Sequence, residues 1–274
     1  MAIITISRGS YSRGKEIAEK VAEQLGYRCT SRDILLDSSK EFGIPEIKLI
    51  RALHDSPSVL ERFTNGKERY LAHIRSSLLQ QAQKDNLVYH GLAGHYFLLN
   101  IPNVFKLRIT ADLEDRVREE VKRENIPVDE ARYILKKDDE ERRKWGLKAY
   151  GIDTWDSRLY DMTIHIGTFS VNDAVDIICH VVQKDTFKTT EESKKIINDK
   201  ALAAAVKVAI IKIAPLAEVE CQDGNISITA TKLPKSLKTN SFDQIITTAA
   251  QVPGVKEVTM LGNLDRRVNP FHKI

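Results

Sequence analysis

The sequence predicts an α/β fold, a parallel sheet flanked by helices, followed by a small α+β (α-β-β-α-β) module. Three observations carry this. An apolar run, Ile3-Ile4-Thr5-Ile6, leads through Gly9-Ser10-Tyr11-Ser12-Arg13-Gly14-Lys15 into Ile17–Leu25, whose apolar residues recur at helical spacing. Strand and helix signals then alternate as far as Val182, the pattern of a parallel sheet covered on both faces. Composition changes after Gln183, where Lys184 to Thr190 is polar and without period.

Each element follows from its residues. Ile3–Ile6 reads as a buried strand and 17–25 as the first helix, and Tyr27–Thr30 as a short second strand before Ser31-Arg32-Asp33. Residues 32–85 read as largely helical, with breaks at Gly43-Ile44-Pro45 and Ser56-Pro57. Leu87–His90 is a third strand, ending in Gly91-Leu92-Ala93-Gly94, and Val104–Ile109 a fourth. Helices follow from Asp112 and from Pro127, the second continuing through the charged stretch Lys136–Lys144. Met162–Ile166 is the last strand of this part and Val171–Val182 its closing helix. The remainder reads as helix 192–213, strand 217–221, strand 226–231, helix 241–251 and strand 255–261. Asp223-Gly224-Asn225 between alternating strands is a hairpin signal. The predicted domains are therefore 1–183 and 191–274.

Composition narrows the function classes. The 274 residues carry a formal net charge of +4, which suits an anionic small ligand. No basic tract interleaved with aromatics is present, so nucleic acid is not the expected partner. No apolar run is long enough to span a bilayer, and the first residues lack the pattern of a secretory signal. Cys29, Cys179 and Cys221 are odd in number and far apart, neither a disulfide framework nor a metal-ligand spacing. A cytoplasmic protein with inert thiols is the expectation.

Strand, glycine-bearing loop, lysine and helix is the setting of a phosphate-binding loop. Backbone N–H groups and the helix N-terminus make an anion site, and Lys15 adds a charge. Arg8, Gly9, Ser10, Ser12, Arg13 and Gly14 belong to the same loop. Glu16 stands where such loops carry a hydroxyl for Mg²⁺; it can serve as a carboxylate toward the metal or simply complement the helix dipole. Gly91 and Gly94 lie at a strand's carboxyl end, where open α/β sheets bind ligands, with His90 and His95 beside them. Asp139 and Arg142 share one helix face; spacing alone describes a solvated charged surface there, as it does for Arg116, Arg118 and Arg123.

Over residues 2–183 these segments together resemble the cytidylate kinase-like branch of the P-loop nucleoside monophosphate kinases. Ile4–Arg8 followed by Ser12–Ala18 is similar to that branch's opening, including a glutamate after the basic residue. Ser31–Leu35 resembles the segment that begins to receive the monophosphate, and Leu87–Gly94 the second core strand and its loop. The branch's Gly-Arg-Gly is here Gly91-Leu92-Ala93-Gly94, so one phosphate-contacting arginine is missing. Asp139 and Arg142 match the Asp-x-x-Arg of the lid, and Tyr160–Ile164 the closing strand, with His165 or Thr168 where the branch has Asn or Asp. The resemblance implies ATP and Mg²⁺, and γ-phosphoryl transfer to a small phosphorylated acceptor, CMP or dCMP first. Lys15 and the loop would hold phosphate, Arg116, Arg118 and Arg142 would close as a lid, and Arg32, Asp33, Gly91 and Gly94 would meet the acceptor. Residues 195–265 resemble a BON domain through the α-β-β-α-β order and Val252-Pro253-Gly254-Val255, which implies a non-catalytic module for an unknown ligand or protein. Two other classes stay open: a nucleotide-binding regulator without turnover, and a scaffold acting through the C-terminal module.

Overall fold

A computed structural model of the chain describes residues 2–9, 12–31, 65–91, 93–229 and 241–261. Ser10, Arg32 and Asp33, the breaks near 43–45 and 56–57, and the loop at Pro234 lie outside the described residues. The chain divides into two compact units, Met1–Val59 with Lys84–Ser193, and Leu60–Gln83 with Lys194–Ile274.

The first unit is built on a five-stranded parallel sheet. Its strands are β1 (Ile3–Arg8), β2 (Arg28–Ser31), β3 (Leu87–His90), β4 (Val104–Ala111) and β5 (Met162–Ile166), in the order β2-β3-β1-β4-β5. β1 is central because it is apolar on both faces: Ile3, Ile4 and Ile6 are wholly buried. It pairs with β3 from Ile3↔Leu87 and with β4 from Ile3↔Val104. Ile4 and Ile6 face a core shared with α1 (Gly14–Leu25) and α6 (Val171–Val182). From α1 this core takes Ile17, Ala18, Val21 and Ala22, the i, i+1, i+4, i+5 stripe of an amphipathic helix. Gly26, at φ +67°, ends α1; its N–H donates to Glu23 O at 3.2 Å and that of Tyr27 to Ala22 O at 2.8 Å, a Schellman closure. A capping box starts α6: Asp173 N–H donates to Ser170 Oγ at 3.2 Å and Ser170 N–H to Asp173 Oδ2 at 2.8 Å.

The opposite face of the sheet is covered partly by the short α3 (Gly94–Phe97). Gly94 is a packing glycine: a Cβ there would lie 2.1 Å from Thr5 Oγ1 and 2.5 Å from Tyr89 Cδ1. Between β4 and β5 the chain makes two helices, α4 (Leu113–Glu124) and α5 (Val128–Tyr150), joined through Asn125 at φ +54° and Pro127. Val117, Ala131 and Leu135 form their small apolar seam. Arg132 spans them with two hydrogen bonds to Glu114, at 3.0 and 2.9 Å.

The second unit joins α2 (Gly66–Ala82) to residues after Lys194. α7 (Glu191–Ile210), β6 (Glu218–Gln222), β7 (Asn225–Thr229), α8 (Ser241–Ala250) and β8 (Glu257–Leu261) give the expected α-β-β-α-β order. β6 and β7 are antiparallel, β7 and β8 parallel. Val206, Ile210, Ile226, Ile228 and Ile245 form its core. Asp223 and Gly224 both take positive φ, 53° and 84°, as a two-residue hairpin requires. α2 is the unforeseen member: it buries Tyr70, Ile74, Leu78 and Leu79, and Gln83 after it donates to Asn198 Oδ1 of α7 at 3.0 Å.

Gly94→Ala is expected to destabilise the first unit by about 1–3 kcal/mol, because neither Thr5 nor Tyr89 in the sheet can retreat from the new methyl group. Urea denaturation checks this; an unchanged midpoint would show that α3 shifts freely.

Candidate active site

The site begins where β1 ends. Gly9 N–H still donates to Ile109 O of β4, at 3.3 Å, and the chain then turns toward α1. Ser12 fixes that turn. It is fully buried, and its single hydroxyl proton is shared between Gly9 O at 3.1 Å and Ile109 O at 3.0 Å. Expected to meet phosphate, Ser12 is turned inward instead. Arg13 enters α1 from the left-handed region, at φ 60°. Gly14 has a steric reason: a Cβ on it would sit 2.8 Å from Arg8 Cβ, since the Arg8 side chain crosses over it. The first-turn N–H groups of α1 have no acceptors within the helix, an arrangement that can hold an anion.

The charged side chains divide into two sets. Lys15 lies along the outside of α1, 63 % exposed, with Nζ 3.8 Å from Glu19. Glu16 is flanked by Lys20 at 3.2 Å and Arg13 at 3.8 Å, and Arg13 also reaches Glu119 of α4 at 3.0 Å. Arg118 is exposed and pairs with Asp115. By contrast, Arg116 and Asp139 are largely buried, 10 % and 19 % exposed, and bond at 2.8 Å. They sit over the loop: a Cβ on Gly9 would lie 3.5 Å from Arg116 Nη1 and 3.9 Å from Asp139 Oδ1. Arg142, one turn beyond Asp139, donates to Arg8 O at 3.4 Å. The fold thus brings Arg8, Gly9, Arg116, Asp139 and Arg142 together. Gly91 lies at the end of β3, where its N–H donates to Ile6 O at 3.2 Å, whereas Gly94 opens α3 against Thr5 and Tyr89.

Beside the loop is a cleft of 480 Å³, walled by the start of α1, by α4 and by the turn after β5. Arg13, Glu16, Arg118 and Glu119 give it a charged rim, and Phe169, half exposed, an aromatic wall. It lies at the carboxyl ends of β4 and β5, the ligand-binding side of an open α/β sheet. His165, on β5, has Nδ1 3.1 Å from Thr110 Oγ1 and Nε2 3.5 Å from Asp112.

Under the loop is a polar group that sequence reasoning did not single out. The Tyr160 hydroxyl lies 3.2 Å from Ser7 Oγ and 3.0 Å from Thr154 O. Burial pushes its pKa up. The His95 ring packs against Tyr160, centroids 4.9 Å apart. His95 is 3 % exposed, and desolvation, with Lys106 and Arg108 nearby, lowers its pKa to about 4.

Residues 3–168 match the cytidylate kinase-like family, more than half of the chain. The chain belongs to that family. A protein named cytidylate kinase from Archaeoglobus fulgidus is 26% identical over 192 residues, 69% of this chain and 99% of that protein. One of the same name from Desulfurococcus amylolyticus is 27% identical over 172 residues, 61% of this chain and 85% of that protein. A crystal structure of an uncharacterized protein from Eubacterium ventriosum superposes with a TM-score of 0.52 at 21% identity, covering 67% of this chain and 99% of that one, a likeness of fold. Family membership makes a nucleotide kinase the coarse assignment. No helix among the described residues is long and apolar enough to cross a membrane.

The depressed His95 pKa has a sign that can be checked. Above pH 6.5 the imidazole is neutral folded and unfolded. As pH falls from 6.5 toward 4, only the unfolded chain takes the proton, so stability falls. The expected loss between pH 7 and pH 4.5 from this one group is roughly 2–3 kcal/mol. Urea melts at both pH values should show that much less acid sensitivity in His95→Gln than in wild type; equal sensitivity would mean the ring is protonated in place.

Proposed function

We propose that the cleft beside the loop takes ATP and that the chain transfers its γ-phosphoryl group to a nucleoside monophosphate, with CMP or dCMP the first acceptor to test. The observation that carries this is the convergence of Arg116, Asp139 and Arg142, from the two helices after β4, on Arg8–Gly9 at the end of β1. Phosphoryl transfer asks little covalent chemistry of a protein; it asks for positioning and for neutralisation of charge spread over the transferring oxygens. Arg116 and Arg142 supply guanidinium groups there, and Asp139 holds Arg116 in place. Arg13 and the α1 amides bind the remaining phosphates, and Lys15 reaches them by leaving Glu19. Phe169 offers the base a face to stack on. Gly91, at the end of β3, is assigned to the acceptor, and Arg32 and Asp33 keep that role from the sequence.

The donor set fits a polyphosphate. Among the described residues no three His, Cys, Asp or Glu side chains gather as a metal site, and Glu16 is compensated by Lys20 and Arg13. Glu16 would therefore meet a nucleotide-bound Mg²⁺ only through water. When bound, the ion would neutralise charge on the transferring phosphates. A cytoplasmic setting suits this substrate.

The engagement of Glu16 with Lys20 and Arg13 also supports a second reading, a nucleotide-binding regulator without turnover. A coupled assay across the common monophosphates separates the two. Turnover with one of them supports the kinase reading. ATP binding without turnover favours the regulator, and no ATP binding removes both.

Two substitutions test the roles. Arg142→Lys keeps the charge and loses the planar fork, so kcat should fall by about tenfold or more while ATP affinity changes little. Wild-type kcat in that variant would make Arg142 a surface charge. Lys15→Ala should leave stability within about 0.5 kcal/mol, as for an exposed side chain, and weaken ATP binding by roughly 1.5–3 kcal/mol. Unchanged affinity by calorimetry would leave Lys15 paired with Glu19 and outside the site.

A further inference from the structure

Residues 151–160, between α5 and β5, form a strap held at several points. Gly151, at φ +69°, ends α5, and Ile152 N–H turns back to Gly146 O at 3.4 Å. Arg143 of α5 grips Asp153 with both Nε and Nη2, the shortest contact 2.6 Å, and its guanidinium lies 4.7 Å from the centroid of the Trp155 ring. Thr154 packs so closely on Gly146 that a Cβ there would meet its Cγ2 at 2.6 Å. The last turns of α5 and the first half of the strap are therefore one rigid piece.

The strap is tied to the sheet as well. Asp161 N–H donates to Lys106 O at 2.8 Å, and Lys106 N–H to Asp161 Oδ2 at 2.8 Å. Arg108 of β4 donates to Trp155 O at 2.9 Å, and Arg108 is the register partner of Ser7 on β1. Between these anchors the Tyr160 hydroxyl touches Thr154 O on the strap and Ser7 Oγ on β1. Tyr160 has one hydroxyl proton, and a carbonyl can only accept. The proton goes to Thr154, and Ser7 supplies the second hydrogen bond. Ser7 is two residues before Gly9, where the phosphate loop begins to turn.

We propose that Tyr160 is a positioning residue that couples the lid helix α5, through the strap, to the entry of the phosphate loop. When α5 moves with Arg142 and Asp139, Thr154 moves with it, and the Tyr160 hydroxyl passes that displacement to Ser7. This inference rests on the kinase reading of the site, since it assigns a partner to the lid.

The test uses the full chain carrying Trp145→Phe, which leaves Trp155 as its one tryptophan, in wild-type, Tyr160→Phe, Ser7→Ala and doubly substituted forms. Tyr160→Phe keeps the ring and removes only the hydroxyl. Three quantities are read: ATP affinity by calorimetry, kcat with CMP, and the change in Trp155 emission on adding ATP. ATP affinity should stay within about twofold while kcat falls about tenfold, the scale of one net hydrogen bond. The Trp155 response should disappear. Ser7→Ala should do the same, and the double variant should be no worse than either single one. An unchanged Trp155 response with unchanged kcat, or additive effects of the two substitutions, overturns the inference and leaves the kinase reading standing. If Tyr160→Phe does not fold, Ser7→Ala decides by the same readouts. If the wild-type chain binds ATP without turning over CMP, the Trp155 response alone decides. A wild-type chain that does not bind ATP overturns the kinase reading, and this inference with it.

Discussion

β1 is hydrogen-bonded along both edges, and the point at which it releases its neighbours sets the geometry of everything above the sheet. The last tie is Gly9 N–H to Ile109 O, with the buried Ser12 hydroxyl bridging the carbonyls of Gly9 and Ile109. Because that turn is pinned from within, α1 starts at a fixed place beside the cleft. The rest of the site is arranged around this fixed end. Arg116 arrives from α4, Asp139 and Arg142 from α5, and the Arg8 side chain needs Gly14 bare to cross above the helix start.

The electrostatics share one pattern: Arg13, Arg116 and Lys15 are each matched by a carboxylate. Arg13 has Glu119 and Glu16, Arg116 has Asp139, and Lys15 has Glu19. The pairs differ in worth. Those at the cleft mouth are exposed, so solvent screens them and an incoming anion can replace the carboxylate at little cost. Arg116–Asp139 is largely desolvated, and removing one partner would strand a charge beside Gly9. A site built this way holds its arginines in position with mobile pairs outside and a rigid pair inside.

The sheet was legible because its signals are local. β3, β5 and α6 fall on the residues that periodicity marks, and the hairpin at Asp223-Gly224 on its turn residues. Family membership confirms the part of the chain that the loop and lid motifs indicated. The site was less legible, since its decisive contacts join residues far apart. Arg116 finds Asp139 across 23 positions and Tyr160 finds Ser7 across 153, and no spacing rule announces either pair. Direction was hidden as well: Ser12 lies in the loop motif yet is fully buried, its hydroxyl bonded to Gly9 O and Ile109 O. The partnership of α2 with the C-terminal helices was equally out of reach, as its apolar face reads the same whichever partner covers it.

That partnership has a consequence for how the chain is made. α2 leaves the ribosome ahead of most of the first unit, but its own unit is completed only by residues after Lys194; Gln83 and Asn198, which bond across it, are 115 positions apart. At a synthesis rate of roughly 5–20 residues per second, α2 waits on the order of 5–20 s for the rest of its unit to be made. By then β3, β4 and β5 of the first unit have all been made. The order of the sequence thus makes the second unit the last to close.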